Sequence, residues 1–289
     1  MTNMRNVSPF RVVNDRAWVE AAEEDGYLFL PGLLTRDDVI AVRKAVTTVA
    51  SRHGLLRFGT LPDHGIAAQG KFMADGDTTS EYKAYYTDQL SQRIMHALAL
   101  QPVLMNALEM VIGEPVFAHP RNIVRTFFPG SSKITTGPHQ DHRPIKGTTE
   151  VWTAWIPLGD CPEPLGGLAV VPGSHRTGLK EVPEGTIYFD LGDTVDWRWN
   201  PMHCGDVLLF HSLTVHQGRE NTTADQIRFS CDFRYQGLTE PVHGHSLLPH
   251  MRWSTWEELY SGWARSDPLR FYWKSYNLDI LTNDHHDSI

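Results

Sequence analysis

The segment 226–235 limits the fold more than any other part of this chain. Ile227, Phe229, Cys231 and Phe233 alternate with Arg228, Ser230, Asp232 and Arg234. Period-two alternation is the signature of a β-strand, whose successive side chains point to opposite faces. The apolar set needs a core on one side. The polar set carries arginines, and placing such a face inside a barrel mouth is costly unless something there uses it.

The neighbouring sequence extends this β reading. Short runs at 116–118, 122–128, 150–158, 167–171 and 206–210 are rich in Val, Ile, Phe and Trp, and Gly, Pro, Asn or Asp bounds each of them. Many short strands with turn signals point to a sandwich or barrel, and a double-sheet jelly roll makes a good container for a metal. The first third reads differently. Asn14 or Asp15 can cap a helix bearing Trp18, Val19 and Ala22, which Gly26 stops. A short strand at 27–30 ends at Pro31-Gly32. Thr35 then opens a helix on which Val39, Val42, Val46 and Val49 recur. Stretch 54–76 reads as a long loop, either surface or substrate-covering. Segment 80–96 is one helix or two, and 101–112 is another, stopped at Gly113. Near the end, Ser254 with Glu257 fits a capping box, 267–276 is an aromatic arm expected to pack on the core, and 282–289 is polar. The expected organisation is one domain over 1–289. It has a helical part at 1–114, a β core at 115–236 and a helical, aromatic arm at 237–289.

Composition excludes some functions. With 34 acidic against 26 basic residues, the net charge of −8 lacks the basic footprint of a nucleic-acid binder. No apolar run is expected to reach the ~18–20 residues of a membrane span. The three cysteines, Cys161, Cys204 and Cys231, form no Cys-x-x-Cys pair, which fits a reducing cytoplasm. The expected partner is a small-molecule substrate, for a monomer or homodimer.

The chemistry concentrates at Pro138-His139-Gln140-Asp141. On an extended strand His139 and Asp141 face one side and Gln140 turns away or sideways. His216 lies in a later run, Gly205 to Gly218. Two histidines and a carboxylate on one face of a metal form the facial triad of non-haem Fe(II) oxygenases, which leaves the opposite positions open. His211, five residues before His216, has the opposite parity and reads as a core or supporting residue. His142 and His175 read as structural. Arg228 opens the strand after His216, and its guanidinium fork matches a carboxylate. Arg234 shares its parity and is the runner-up. The triad alone also permits a zinc or manganese hydrolase or isomerase, or a non-catalytic metal-binding protein. A dicarboxylate anchor argues against simple hydrolysis.

These pieces, in this order, resemble the phytanoyl-CoA dioxygenase family of Fe(II)/2-oxoglutarate oxygenases. The matching residues are Glu24-Asp-Gly-Tyr-Leu-Phe-Leu-Pro-Gly32, Pro138 to Asp141, Thr153-Ala-Trp-Ile-Pro-Leu158, Leu165-Gly-Gly167 with Pro172-Gly-Ser-His175, the run Gly205 to Asn221, and Arg228. The resemblance implies a mostly β, double-stranded β-helix (jelly-roll, cupin-like) fold with flanking helices. It implies iron on His139, Asp141 and His216, and Arg228 on the distal carboxylate of 2-oxoglutarate. It also implies that Gln140 and Trp155 line the cosubstrate pocket and that Arg125 binds cosubstrate or an acidic substrate. The implied reaction uses O2 to hydroxylate an unactivated C–H and releases succinate and CO2. The same cofactors serve desaturation, epimerisation or cyclisation. The carboxylate at Asp141, where family halogenases carry a small residue, favours hydroxylation.

Overall fold

The strand expected at 226–235 forms at Arg228–Gly237 and is the axis of the molecule. The computed structural model describes residues 16–74, 76–130, 136–191 and 195–282. In chain order the strands are β1 (Tyr27–Leu30), β2 (Val116–Ala118), β3 (Ile123–Phe127), β4 (Val151–Pro157), β5 (Leu168–Val170), β6 (Val207–His211), β7 (His216–Gly218), β8 (Arg228–Gly237), β9 (Val242–His243) and β10 (Ile280–Leu281). The helices are α1 (Arg16–Asp25), α2 (Arg36–Arg52), α3 (Ser80–Leu90), α4 (Arg93–Ala99), α5 (Pro102–Ile112), α6 (His142–Ile145) and α7 (Trp256–Leu259).

Among the described residues, six strands form an antiparallel main sheet in the order β1-β6-β4-β8-β2, with β3 also on β8. The sheet is not confined to 115–236, because its edge strand β1 comes from the helical N-terminal part. The reason lies in Gly26, at φ +70, where a Cβ would stand 2.2 Å from His175 Nδ1 and 2.7 Å from Thr214 Oγ1. Only glycine lets the chain leave α1 that close to the sheet. A second, smaller sheet pairs β5 with β7, and bridges extend it from Val170 to Arg198 and from His216 to His139. This two-sheet arrangement is the expected jelly roll.

Alternation sorts the main sheet into two faces. Leu28, Ala154, Ile156, Leu209, Cys231, Phe233 and Tyr235 pack outward against the helices. Val39, Val42, Val46 and Val49 of α2 belong to the same core, as the helical spacing requires. Tyr27, Phe29, Trp155, Leu208 and Phe210 point inward with Val170 of the second sheet. Each buried aromatic or branched aliphatic side chain contributes about 1.5–3 kcal/mol.

Some expectations change. The stretch Arg93–Ile112 reaches 20 residues and, by length and composition alone, passes for a membrane span. Here it is two helices, α4 and α5, broken at Leu100-Gln101 before Pro102, and Met95, Leu98, Leu104 and Leu108 are buried in the core. The capping box stands one residue later than the sequence implied. Thr255 and Glu258 form it, because the Ser254 hydroxyl is engaged by Thr87 (3.0 Å). The helix it caps is a single turn. Most of loop 54–76 packs through bridges Leu56 to Ala67 and Ile66 to Gln226. The aromatic arm packs on the helical side through Trp273, beside Trp256 at 5.1 Å. The N-terminal cap at Asn14 or Asp15 and the residues after Thr282 lie outside the described residues.

Two buried histidines away from the metal-ligand candidates set an acid limit. His96 donates from Nε2 to the Leu90 carbonyl (2.8 Å), and His119 bonds Gln236 (2.8 Å). Burial pushes both imidazoles down to about 4. An unfolded histidine takes its proton near 6.5, so between those values the unfolded state binds more protons and stability falls as pH drops. The urea midpoint is expected to decline between pH 6.5 and 4, with a shallower slope in His96→Gln. A midpoint flat across that window would contradict this.

Candidate metal centre

His139 and His216 are built as a cross-strand pair. The His139 N–H donates to the His216 carbonyl (3.0 Å) and the His216 N–H to the His139 carbonyl (3.1 Å). A doubly bonded antiparallel pair places both side chains on the same face, here with ring centres 4.1 Å apart. Asp141 joins them by a route other than simple strand alternation. The chain leaves extended conformation after His139, and Asp141 sits in the helical region (φ −66, ψ −24) as the residue before α6.

Each imidazole is fixed in one tautomer. His139 Nδ1 donates to the Gly137 carbonyl (2.8 Å) and His216 Nδ1 to the Thr214 carbonyl (2.9 Å). A carbonyl only accepts, so both Nε2 atoms keep a lone pair. Both stand 3.7 Å from Asp141 Oδ1. Donors bound to one ion at about 2.1 Å lie within about 4.2 Å of each other. The three ligand atoms lie within 4.8 Å of one another, all on buried residues. A small inward shift lets one divalent cation bridge them.

Electrostatics prepare the same set. Burial would raise the Asp141 carboxyl, but Arg234, the two imidazoles and the Thr153 hydroxyl outweigh it and hold it well below the usual range. Thr153 Oγ1 donates to Asp141 Oδ2 (2.7 Å), and Arg234 Nη2 donates to the same oxygen (3.2 Å). Oδ1 is left toward the histidines. Burial first, then the charge of His216, pushes the His139 imidazole down to about 3, and burial also lowers His216. Neutral imidazoles and an ionised carboxylate are the protonation states a metal requires.

Two spaces meet at this triad. A narrow slot of about 20 Å³ is lined by Arg228, Trp155, Phe127, Leu168, Phe210 and His216. Arg228 is buried, with its guanidinium 4.2 Å from the Phe127 ring centre and 5.8 Å from that of Trp155. Its Nη1 donates to the carbonyls of Gly167 (3.2 Å) and Arg219 (3.3 Å). Gly166, at φ +83, makes this possible, since a Cβ there would meet the Arg219 carbonyl at 2.6 Å, the Glu220 carbonyl at 2.8 Å and Arg228 Nη1 at 3.1 Å. On the other side a cavity of about 430 Å³ is walled by Tyr82, Ile123, Ile145, Tyr188, His250 and Met251 among others. His139, Asp141, Arg125, Thr136 and Arg234 line both spaces.

Residues 22–230 match the family described as Phytanoyl-CoA dioxygenase (PhyH). The chain belongs to that family. Family membership makes it an enzyme of the iron- and 2-oxoglutarate-dependent oxygenases. A 1-deoxypentalenic acid 11-beta-hydroxylase from Streptomyces arenae is 30% identical over 246 residues, 78% of this chain and 83% of the relative. The mouse phytanoyl-CoA dioxygenase domain-containing protein 1 is 25% identical, over 69% of this chain and 82% of its own length. Among solved structures, the epimerase SnoN in complex with Fe3+, alpha ketoglutarate and nogalamycin RO superposes with TM-score 0.59. It is 22% identical and covers 79% of this chain and 86% of its own. EctD from S. alaskensis with bound Fe gives 0.56 at 19% identity, covering 83% and 82%. The last two show the fold.

The sequence expectations for Gln140, Arg125 and Arg234 change, and that for His211 does not. Gln140 does not line either space. Its amide donates to the carbonyls of Leu213 (2.7 Å) and Gly178 (3.0 Å), and its Oε1 accepts from the Lys180 N–H (2.8 Å). It therefore anchors the triad's backbone. Arg125 reaches both spaces but is paired with Asp232 at 2.6 Å. Arg234, the runner-up for the cosubstrate, is committed to Asp141. His211 faces the opposite side of β6, near Trp152 and Glu150. Thr153 was missed, although its parity with Trp155 on β4 was a readable signal. Of loop 54–76, Gly76 reaches the cavity. Tyr85 and Tyr86 lie in the core, bonded to Thr126 and His250.

The contacts on Asp141 Oδ2 orient the carboxylate, and outer partners of this kind typically change metal affinity about 10–100-fold. Thr153→Val is expected to weaken Mn(II) binding by about tenfold or more in calorimetry, with the fold intact by circular dichroism. Unchanged affinity would assign Thr153 to packing alone.

Proposed function

We propose that this protein hydroxylates an unactivated C–H of a small metabolite, with Fe(II) held by His139, Asp141 and His216 and 2-oxoglutarate anchored on Arg228. One observation carries the reading: a buried two-histidine, one-carboxylate set opens on one side to a fully buried arginine and on the other to a cavity large enough for a metabolite. Iron, 2-oxoglutarate and O2 together supply the oxidising power, and succinate and CO2 are the co-products.

The chain's own residues do the rest. Tautomer locking aims both Nε2 atoms inward. Thr153 and Arg234 hold one oxygen of Asp141 and leave the other for the metal. Arg228 offers its fork at the closed end of the slot, where Phe127 and Trp155 exclude water and strengthen its attraction to a carboxylate. The slot is tighter than a five-carbon diacid, so binding has to open it toward the adjoining cavity. Trp155 Nε1 is buried and has no hydrogen-bond partner among the described residues, which makes it a donor for the same ligand. The Streptomyces relatives are named as hydroxylases, which supports hydroxylation as the outcome here.

Anaerobic addition of Fe(II) and then 2-oxoglutarate is expected to produce a weak visible charge-transfer band. His216→Ala should abolish it and His211→Ala should keep it. Arg228→Met should raise the 2-oxoglutarate concentration for half-development by about 30-fold or more, the loss expected when one partner of a buried charge pair is removed. A folded wild type without the band, or an Arg228→Met protein with wild-type affinity, would sink the assignment.

A further inference from the structure

The cavity beside the metal centre carries an unbalanced positive charge. Its wall holds three guanidiniums, Arg121, Arg125 and Arg234. Two of them have carboxylates: Arg125 pairs with Asp232 and Arg234 with Asp141. Arg121, in the connection between β2 and β3, donates Nη1 to the His245 carbonyl (3.2 Å) and has no carboxylate partner among the described residues. Among the described residues, three guanidiniums against two carboxylates leave one positive charge on this wall. Fe(II) and doubly ionised 2-oxoglutarate add charges that cancel, and Arg228 in the slot adds one more positive charge, so the surplus is no smaller in the loaded enzyme. The nearby imidazoles do not add to it. Burial keeps His119 neutral, and burial with the three arginines does the same for His250. Burial and the charge of Arg234 push the Arg121 guanidinium itself down to about 10, a measure of how poorly this charge is compensated. A partly buried arginine without an anion is an expensive feature to maintain.

We propose that Arg121 is the substrate-anchoring residue and that the substrate is a mostly apolar monocarboxylate. The proposal rests on the oxygenase reading above and names its substrate class. A carboxylate accepts two hydrogen bonds from one guanidinium and suits Arg121, which among the described residues lacks a carboxylate. Ile123, Ile145, Ile187 and Met251 on the same wall suit a hydrocarbon body. Anchoring one end on Arg121 fixes which carbon reaches the metal face of the cavity.

The test uses the full chain loaded anaerobically with Fe(II) and 2-oxoglutarate, with the charge-transfer band recorded first. Hexanoate and octanoate are then titrated by calorimetry against hexanamide and octanamide. At least one carboxylate is expected to bind tenfold or more tighter than its amide. Arg121→Met should reduce that preference below threefold while leaving the band and its 2-oxoglutarate dependence unchanged, and Arg121→Lys should restore part of it. Equal binding of acid and amide, no binding of either acid, or a preference that survives Arg121→Met would each overturn the proposal. So would loss of the band in Arg121→Met, which would place Arg121 at the cosubstrate. Octylphosphonate binding more tightly than octanoate would overturn the carboxylate class. A wild type lacking the band would sink the oxygenase reading instead, because the Arg121-dependent preference is read from heat.

Discussion

Two backbone hydrogen bonds between His139 and His216 carry the rest of the site. They join residues 77 positions apart in the chain and place two imidazoles on one face. The carbonyls of Gly137 and Thr214, each two residues before its histidine, then decide which ring nitrogen is left for a metal. Gln140 completes the arrangement, since its three backbone hydrogen bonds tie the turn between His139 and Asp141 to segments 178–180 and 213. A ligand set positioned by main chain is less free to relax than one positioned by side-chain packing alone.

Charge is the second constraint. The inner face of β8 buries Arg228, Ser230, Asp232 and Arg234. Removing an ion from water costs several kcal/mol even after relaxation, so such a face persists only with partners. Asp232 takes Arg125, Asp141 takes Arg234, and Arg228 has chain carbonyls and two aromatic rings. An all-apolar strand at this position would pack at lower cost. The pattern therefore points to chemistry, and it divides the interior into a slot ending at Arg228 and a wider cavity bordered by Arg121, with the triad between them.

The outer half of the fold serves this interior. The apolar face of β8 and β4 rests on the helices, with α2 supplying a row of valines. The C-terminal stretch 254–276 adds Trp256, Tyr260 and Trp273 to the same core and stays out of the cavity lining. Its aromatic content therefore reflects packing more than recognition. The cavity is lined instead by the connection after β2, by Tyr82, and by His250 and Met251 among others.

The sequence by itself determined whatever depends on short-range periodicity and steric rules. Alternation in 226–235 and 150–158 set which side chains face inward, and Gly26 marked the end of the first helix. The ordered set of segments, from 24–32 through His139, Asp141, 153–158 and 165–175 to His216 and Arg228, was enough to reach the family. Tertiary structure alone decided the partners. Nothing local assigned Arg234 to Asp141, Arg125 to Asp232 or Ser254 to Thr87, which shifted the capping box by one residue. Nothing local turned Gln140 onto chain carbonyls or left Arg121 facing a cavity. Hydrogen bonds and ion pairs reach only a few ångströms, and residues ~100 positions apart come within that reach only after the sheets have closed.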